Sequence, residues 1–243
     1  MSAPKRPGRG GSGKRGPAGR RLTVKVKTAG QRSASSTRWL ERQLNDPYVA
    51  EARRLGYRSR AAFKLAQLDD RFGLIQPGAR VVDLGAAPGG WTQVAAERSR
   101  AREGRGLVLA VDLTPMEPVA GAEILELDFL APEAPGRIRA ALEGPADLVM
   151  SDMAAPATGH PQTDHLRIMA LAEAAYAFAK EVLAPAGAFL AKVLRGGAEK
   201  QLLDALKRDF ATVRHVKPPA SRADSAEIYV VATGFRGRRA DQP

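Results

Sequence analysis

Residues 80–92 read RVVDLGAAPGGWT: an apolar run closed by an acid, a turn of small residues, then the start of a helical stretch. They follow the turn Gln76-Pro77-Gly78, and from Arg80 onward the apolar period changes. Short apolar runs then alternate with helical stretches: RVVDLG, then WTQVAAERSR; GLVLAVDL; AEILELD; ADLVMSD, then DHLRIMALAEAAYAFAKEVL; GAFLAKVL, then AEKQLLDALKRDF; ATVRHVK; and EIYVVATGF. Unbroken apolar strands in such an alternation predict an α/β fold: a mostly parallel seven-stranded sheet with helices on both faces. Only Pro218-Pro219 and a short polar loop separate the last two runs, too little for a helical crossover. They are expected to pair antiparallel at one edge of the sheet.

Upstream, Ser36 to Phe72 has a helical pattern broken near Asp46-Pro47 and Gly56. Ser59 is placed to cap a helix whose apolar stripe is Ala61, Leu65, Leu68 and Phe72. Another stripe carries Arg60, Lys64, Gln67 and Arg71, three cations and no acid, which suggests either a solvated face or an anionic partner. The first 40 residues hold eleven of the 38 Lys and Arg and no acid, leaving 27 bases against 26 acids in the remainder. A nearly neutral globular body therefore carries a cationic arm, too poor in apolar residues to order itself. The arm is either a solubilising tail or a nucleic-acid contact. The expected organisation is a basic arm over 1–35, one domain over 36–236 and a short tail over 237–243.

The composition excludes several classes. The chain has 243 residues, 44% of them apolar, which is ample for a core. It has no cysteine, so a disulfide scaffold, a thiolate nucleophile and a Cys-ligated metal are ruled out. His160, His165 and His215 show no ligand-like spacing, and no metal is expected. No run approaches the ~20 apolar residues of a membrane span, and the basic N-terminus lacks the apolar centre of a signal peptide. A cytoplasmic protein with no membrane partner is the expectation.

In a doubly wound sheet, ligands bind beyond the carboxyl ends of the strands. The turn after Asp83 has P-loop spacing but puts Trp91 where the phosphate-binding Lys belongs. It also has Ala87 at the second Gly of a dinucleotide fingerprint. S-adenosylmethionine carries no phosphate and requires neither feature. The next strand ends in Asp112, placed to accept from both ribose hydroxyls, and the third in Asp128-Phe129, suited to an adenine edge and face. One such acid could simply cap a turn; three successive strands ending in Asp favour a nucleoside pocket. Lys192, inside an apolar run, is costly to bury unpaired and either snorkels or has a function. Glu227 is a further acid at a strand boundary.

YRSRAAFKL, DLGAAPGGW, DLTPM, LDF, SDMA, AKVLRGG and SRADSAEIYVVATG, in that order over about Ser36 to Gly234, resemble the FtsJ/RrmJ family of ribosomal RNA ribose 2′-O-methyltransferases. The likeness is greatest to bacterial members that methylate a uridine of large-subunit (23S) ribosomal RNA. The resemblance implies a Rossmann-like methyltransferase fold, S-adenosylmethionine as cofactor and a catalytic tetrad of Lys64, Asp152, Lys192 and Glu227. It implies cofactor contacts at Gly89, Trp91, Asp112, Asp128 and Asp152. Large-subunit ribosomal RNA, free or in the assembled subunit, would be the partner of a monomer, with Arg58, Arg60, Lys64 and Arg195 the RNA-facing candidates. Two departures from the family pattern, Ala155-Pro156-Ala157 after SDMA and Leu194-Arg195 after Lys192, bear on substrate contacts. A transfer-RNA or other RNA substrate, or an inactive RNA-binding module on the same fold, are the alternatives.

A ribose hydroxyl is a weak nucleophile and must lose its proton as it attacks. A lysine accepts that proton only when neutral; burial and a second ammonium favour that form, neighbouring carboxylates the charged one. Lys192 is thus either the general base or a cation that orients the hydroxyl, with the base role the working expectation.

Overall fold

A computed structural model of the chain describes residues 25–26, 28, 30, 33–156, 158–195 and 200–237. Most of the basic arm, Ala157, the Gly196-Gly197 pair and the tail beyond Gly237 lie outside the described residues. The chain divides into two units, Met1–Glu51 and Ala52–Pro243. The first holds helix α1 (Ala34–Leu44) and the start of α2 (Pro47–Leu55). Ser33 caps α1, its Oγ accepting the Ser36 N–H at 3.2 Å, and Asp46 accepts the Tyr48 N–H at 3.0 Å as α2 begins.

The second unit contains a seven-stranded sheet: β1 (Arg80–Leu84), β2 (Leu107–Asp112), β3 (Glu123–Glu126), β4 (Ala146–Ser151), β5 (Leu183–Leu194), β6 (Phe210–Val216) and β7 (Glu227–Phe235). Their order is β3-β2-β1-β4-β5-β7-β6, parallel from β3 through β5. The expected antiparallel pairing at one end is present: β7 runs against both neighbours and lies between β5 and the edge strand β6. Helices α3 (Ala62–Phe72) and α4 (Gly90–Arg98) share one core with Val81, Val108, Leu148, Leu190 and Tyr229. Helices α5 (Ala134–Leu142), α6 (Pro161–Val182) and α7 (Lys200–Asp209) share another with Val82, Leu109, Val149, Phe189 and Val230. Alternate strand residues thus feed opposite cores, which is why the strands read as continuous apolar runs.

Two sequence expectations need correction. Ser59 does not cap α3; the helix starts at Ala62, and its N-cap position, Ala61, makes no side-chain cap. The Ser59 hydroxyl is instead buried, without a hydrogen-bond partner among the described residues, and packs on Gly90, where an added Cβ would fall 2.3 Å from it. Helix α5, for which the reading had no element, is marked by Ala134, Ile138 and Leu142, all fully buried at spacings of four. Pro and Gly at 135–136 disguise it, although Pro is well tolerated in a first turn.

Candidate active site

The chain runs outward from β1 to β2 and β3, then crosses to β4 and β5, so the topology switches direction between β1 and β4. A cleft of about 660 Å³ opens there, walled by Gly85 and Ala87 after β1, Asp112 and Thr114 after β2, Asp128 after β3 and Asp152 after β4. Gly85 adopts φ +77°, and a Cβ on it would meet the Met153 backbone at 2.8 Å, so the first turn can pass this close only with glycine. Asp112 accepts the Ala87 N–H at 2.9 Å through Oδ2 and the Thr114 N–H at 2.7 Å through Oδ1, tying both loops together. Each oxygen keeps a lone pair for a further donor. Asp128 accepts the Leu130 N–H at 2.9 Å, so turn formation and a place in the cleft coexist in one carboxylate.

Gly89, at φ +106°, is the N-cap of α4. The Trp91 indole turns into the core: it packs 5.6 Å from the Tyr229 ring and donates to the Ala61 carbonyl at 2.9 Å. Gly89 and Trp91 do not line the cleft itself; they stand at the start of α4, just after its Gly85 and Ala87 wall. Beneath the turn, Asp83 is fully buried, with Oδ2 accepting from Thr92 at 2.7 Å and Oδ1 without a partner among the described residues. Burial pushes its carboxyl up to about 7, against the Thr92 hydrogen bond and with help from Asp152 and Asp112.

Sheet register assembles the second group. Ser151 pairs with Ala191, Lys192 with Tyr229 and Leu194 with Glu227, which sets Asp152, Lys192, Tyr229 and Glu227 at one end of the sheet. Lys192 does not snorkel: its side chain is 9% exposed, its Nζ is 3.0 Å from Asp152 Oδ1, and it donates to the Asp152 carbonyl at 2.6 Å. The Tyr229 hydroxyl donates to Asp152 Oδ1 at 2.9 Å and accepts from Lys64 Nζ at 3.2 Å. Lys64, reaching in from α3, lies 2.7 Å from Glu227 Oε1, which also accepts from Ser221 Oγ at 2.8 Å. Five side chains thus form one hydrogen-bonded run, Lys192–Asp152–Tyr229–Lys64–Glu227. Burial works to raise the Glu227 carboxyl, but Lys64, Ser221 and Lys192 outweigh it and hold the group below the ordinary carboxylate range. Burial, then Asp152 and Glu227, push the Tyr229 hydroxyl well above its ordinary value, so the phenol stays neutral.

The structure brings Lys64, Asp152, Lys192 and Glu227 together and adds Tyr229 and Ser221, which sequence reasoning missed. Tyr229 could have been found from period two, since Glu227 and Tyr229 must share a face of their strand. The cationic stripe of α3 requires a correction. Most of it is not a free basic face: Arg60 donates to the Ala220 carbonyl in the β6–β7 loop, Gln67 Oε1 accepts the Ala220 N–H at 2.8 Å and Lys64 pairs with Glu227, while Arg71 stays exposed against the Phe72 ring. Arg58 is likewise engaged, donating to the carbonyls of Pro88, Glu117 and Pro118. Of the RNA-facing candidates, Arg195 sits exposed just after β5, its backbone N–H bonded to the Ala226 carbonyl at 3.1 Å.

The strand order, the inserted β7 and the cleft at the switch point define a Rossmann-like methyltransferase fold. The solved structure of a ribosomal RNA methyltransferase from Plasmodium falciparum superposes with a TM-score of 0.67 at 26% identity, over 75% of this chain and 100% of that one. The family model for FtsJ-like methyltransferases matches residues 57–235, and the chain belongs to that family. Among its relatives, the Ribosomal RNA large subunit methyltransferase E of Paramagnetospirillum magneticum is 66% identical over 226 residues, 91% of this chain and 93% of the relative. The protein of the same name from Parvibaculum lavamentivorans is 63% identical over 237 residues, 94% of this chain and 93% of the relative. Among the described residues, no helix is long and apolar enough to cross a membrane.

Proposed function

We propose that the protein methylates a ribose 2′-hydroxyl of large-subunit ribosomal RNA, a uridine of 23S RNA, with S-adenosylmethionine as methyl donor and as a monomer in the cytoplasm. The observation that carries this reading is the double membership of Asp152: it walls the cleft and is also ion-paired with Lys192. A cofactor cavity and a run of buried ionisable side chains therefore meet at one residue. The names of the relatives support ribosomal RNA of the large subunit as substrate. An RNA-binding module without chemistry would have no use for a buried lysine and a second, half-buried one held by two carboxylates.

The cleft suits the cofactor in its donor set. Asp112 and Asp128 are acceptors with lone pairs to spare for ribose hydroxyls and an amino group, and the first turn of α4 supplies backbone N–H donors. When bound, S-adenosylmethionine supplies an electrophilic methyl group on a sulfonium. Lys192, in its neutral form, takes the 2′-hydroxyl proton at Nζ, and Asp152 fixes where that nitrogen points. Tyr229 and Glu227 hold Lys64, whose charge stays beside the acceptor site. Methyl transfer from labelled S-adenosylmethionine to ribosomal RNA, with the modified nucleotide mapped by primer-extension stops at low nucleotide concentration, tests the reading; transfer only to transfer RNA, or to a base, would refute it.

Asp112→Ala should weaken S-adenosylmethionine binding by about 1.5–3 kcal/mol, the range for a hydrogen bond to a charged group. Calorimetry on the folded variant checks this, and an unchanged affinity would remove Asp112 from the pocket. Deleting residues 1–32, with their ten Lys and Arg, should lower RNA affinity and flatten its dependence on salt while cofactor affinity holds. A full salt slope in the truncated protein would make the arm a solubilising tail.

A further inference from the structure

Residues 56–61 form a strap laid across the first turn of α4. Gln93 holds it there, accepting the Arg58 N–H at 2.9 Å and donating to the Gly56 carbonyl at 3.0 Å. From this strap the Arg58 side chain reaches two separate loops at once. One terminal nitrogen donates to the Glu117 carbonyl at 2.6 Å and the Pro88 carbonyl at 3.2 Å; the other donates to the Pro118 carbonyl at 2.7 Å. Pro88 belongs to the small-residue turn after β1, and Glu117-Pro118 to the loop after β2. The Arg58 side chain lies against Gly89, where a Cβ would stand 3.0 Å from its terminal nitrogen and 3.2 Å from Val119 in the same β2–β3 loop.

These two loops are the ones that wall the cleft through Ala87 on one side and Asp112 and Thr114 on the other. Asp112 ties them from within the cleft and Arg58 ties them from outside it. A cation directed at three neutral carbonyls, rather than at water or a carboxylate, gains its value from geometry: the planar fork fixes the relative position of two chain segments that nothing else in the strap spans. Because the carbonyls lie near the surface, water can replace the guanidinium at little cost to folding. Loop preorganisation, by contrast, is lost with it.

We propose that Arg58 is a positioning residue for the cofactor, one that sets the width of the cleft by clamping the β2–β3 loop to the turn after β1. It is not a phosphate contact for RNA. The inference rests on the reading of this cleft as the S-adenosylmethionine site.

The test compares wild type, Arg58→Ala and Arg58→Lys in three measurements: calorimetric titration with S-adenosylmethionine, binding of a ribosomal RNA fragment across a salt series, and thermal unfolding. Arg58→Ala should weaken cofactor binding by about 10- to 100-fold, because the two loops must then be ordered as the cofactor enters. Arg58→Lys keeps the charge but its single ammonium can serve only one loop, so it should rescue part of that loss. RNA affinity and its salt slope should be the same in all three proteins, a split that a general loss of structure would not produce. Arg58→Ala with wild-type cofactor affinity overturns the proposal, as does a flattened salt slope with cofactor affinity intact. If Arg58→Ala does not fold, Arg58→Lys decides: weakened cofactor binding with unchanged RNA binding upholds the clamp, and wild-type cofactor binding overturns it. Wild-type protein that binds no S-adenosylmethionine would defeat the reading of the cleft instead, so the two failures are distinguishable.

Discussion

Lys192→Arg should transfer methyl groups no faster than Lys192→Ala, with both slowed by roughly 10²–10⁴-fold, the usual contribution of a positioned general base. The side chain is buried and faces Asp152 through both the carboxylate and the main-chain carbonyl, so an arginine there keeps a cation in place. It cannot, however, deprotonate near neutral pH. Single-turnover rates measured with saturating cofactor and RNA isolate the chemical step, and calorimetry should find both ligands still bound. An arginine enzyme that retains a substantial share of the wild-type rate would make Lys192 an orienting cation and move the proton acceptor elsewhere.

Asp83→Asn should stabilise the protein, and by an amount that depends on pH. In the folded state the carboxyl is pushed up to about 7, chiefly by burial, whereas in an unfolded chain it titrates near the ordinary value of about 3.9. Between those values the folded protein holds a proton that the unfolded chain has released, so stability falls as pH rises through the window. The full penalty, about 4 kcal/mol, is present above pH 7 and absent below pH 4. Asparagine carries no such penalty, and its amide oxygen can still accept from Thr92. Urea unfolding should show a large gain for the variant at pH 8 and a small one at pH 5. Equal gains at both would mean that ionisation of Asp83 is not the cause.

The parts of the molecule legible in its sequence are those written in local pattern. Acids at the ends of apolar runs located the cleft: Asp112 closes β2 and Asp128 follows β3, and both line it, whereas Asp83 near the end of β1 lies buried beneath the first turn. Lys192 stood out because a cation inside an apolar run has few physical explanations. What escaped the reading depends on pairing at long range. Tyr229 is an ordinary strand aromatic until register sets it opposite Lys192 and brings Lys64, 165 residues away, onto its hydroxyl. The partners of Arg60 and Lys64 could not be read locally, because the Ala220 carbonyl lies 160 residues from Arg60 and Glu227 lies 163 residues from Lys64. Ser59 had the right chemistry for a cap, but the close approach of Gly90 claimed its position.

The placement of β7 has a consequence for the protein during its own synthesis. Strands β5 and β6 are not neighbours; β5 pairs with β4 and β7, and β6 pairs only with β7, which is translated after both. Until that last strand leaves the ribosome, β6 is an orphan edge, and the chain lacks both Glu227 and Tyr229, so Lys64 has neither of the partners that hold it. A nascent chain can therefore finish the cleft while the lysine–carboxylate run beside it is still incomplete. Insertion of one strand completes the sheet and that run together.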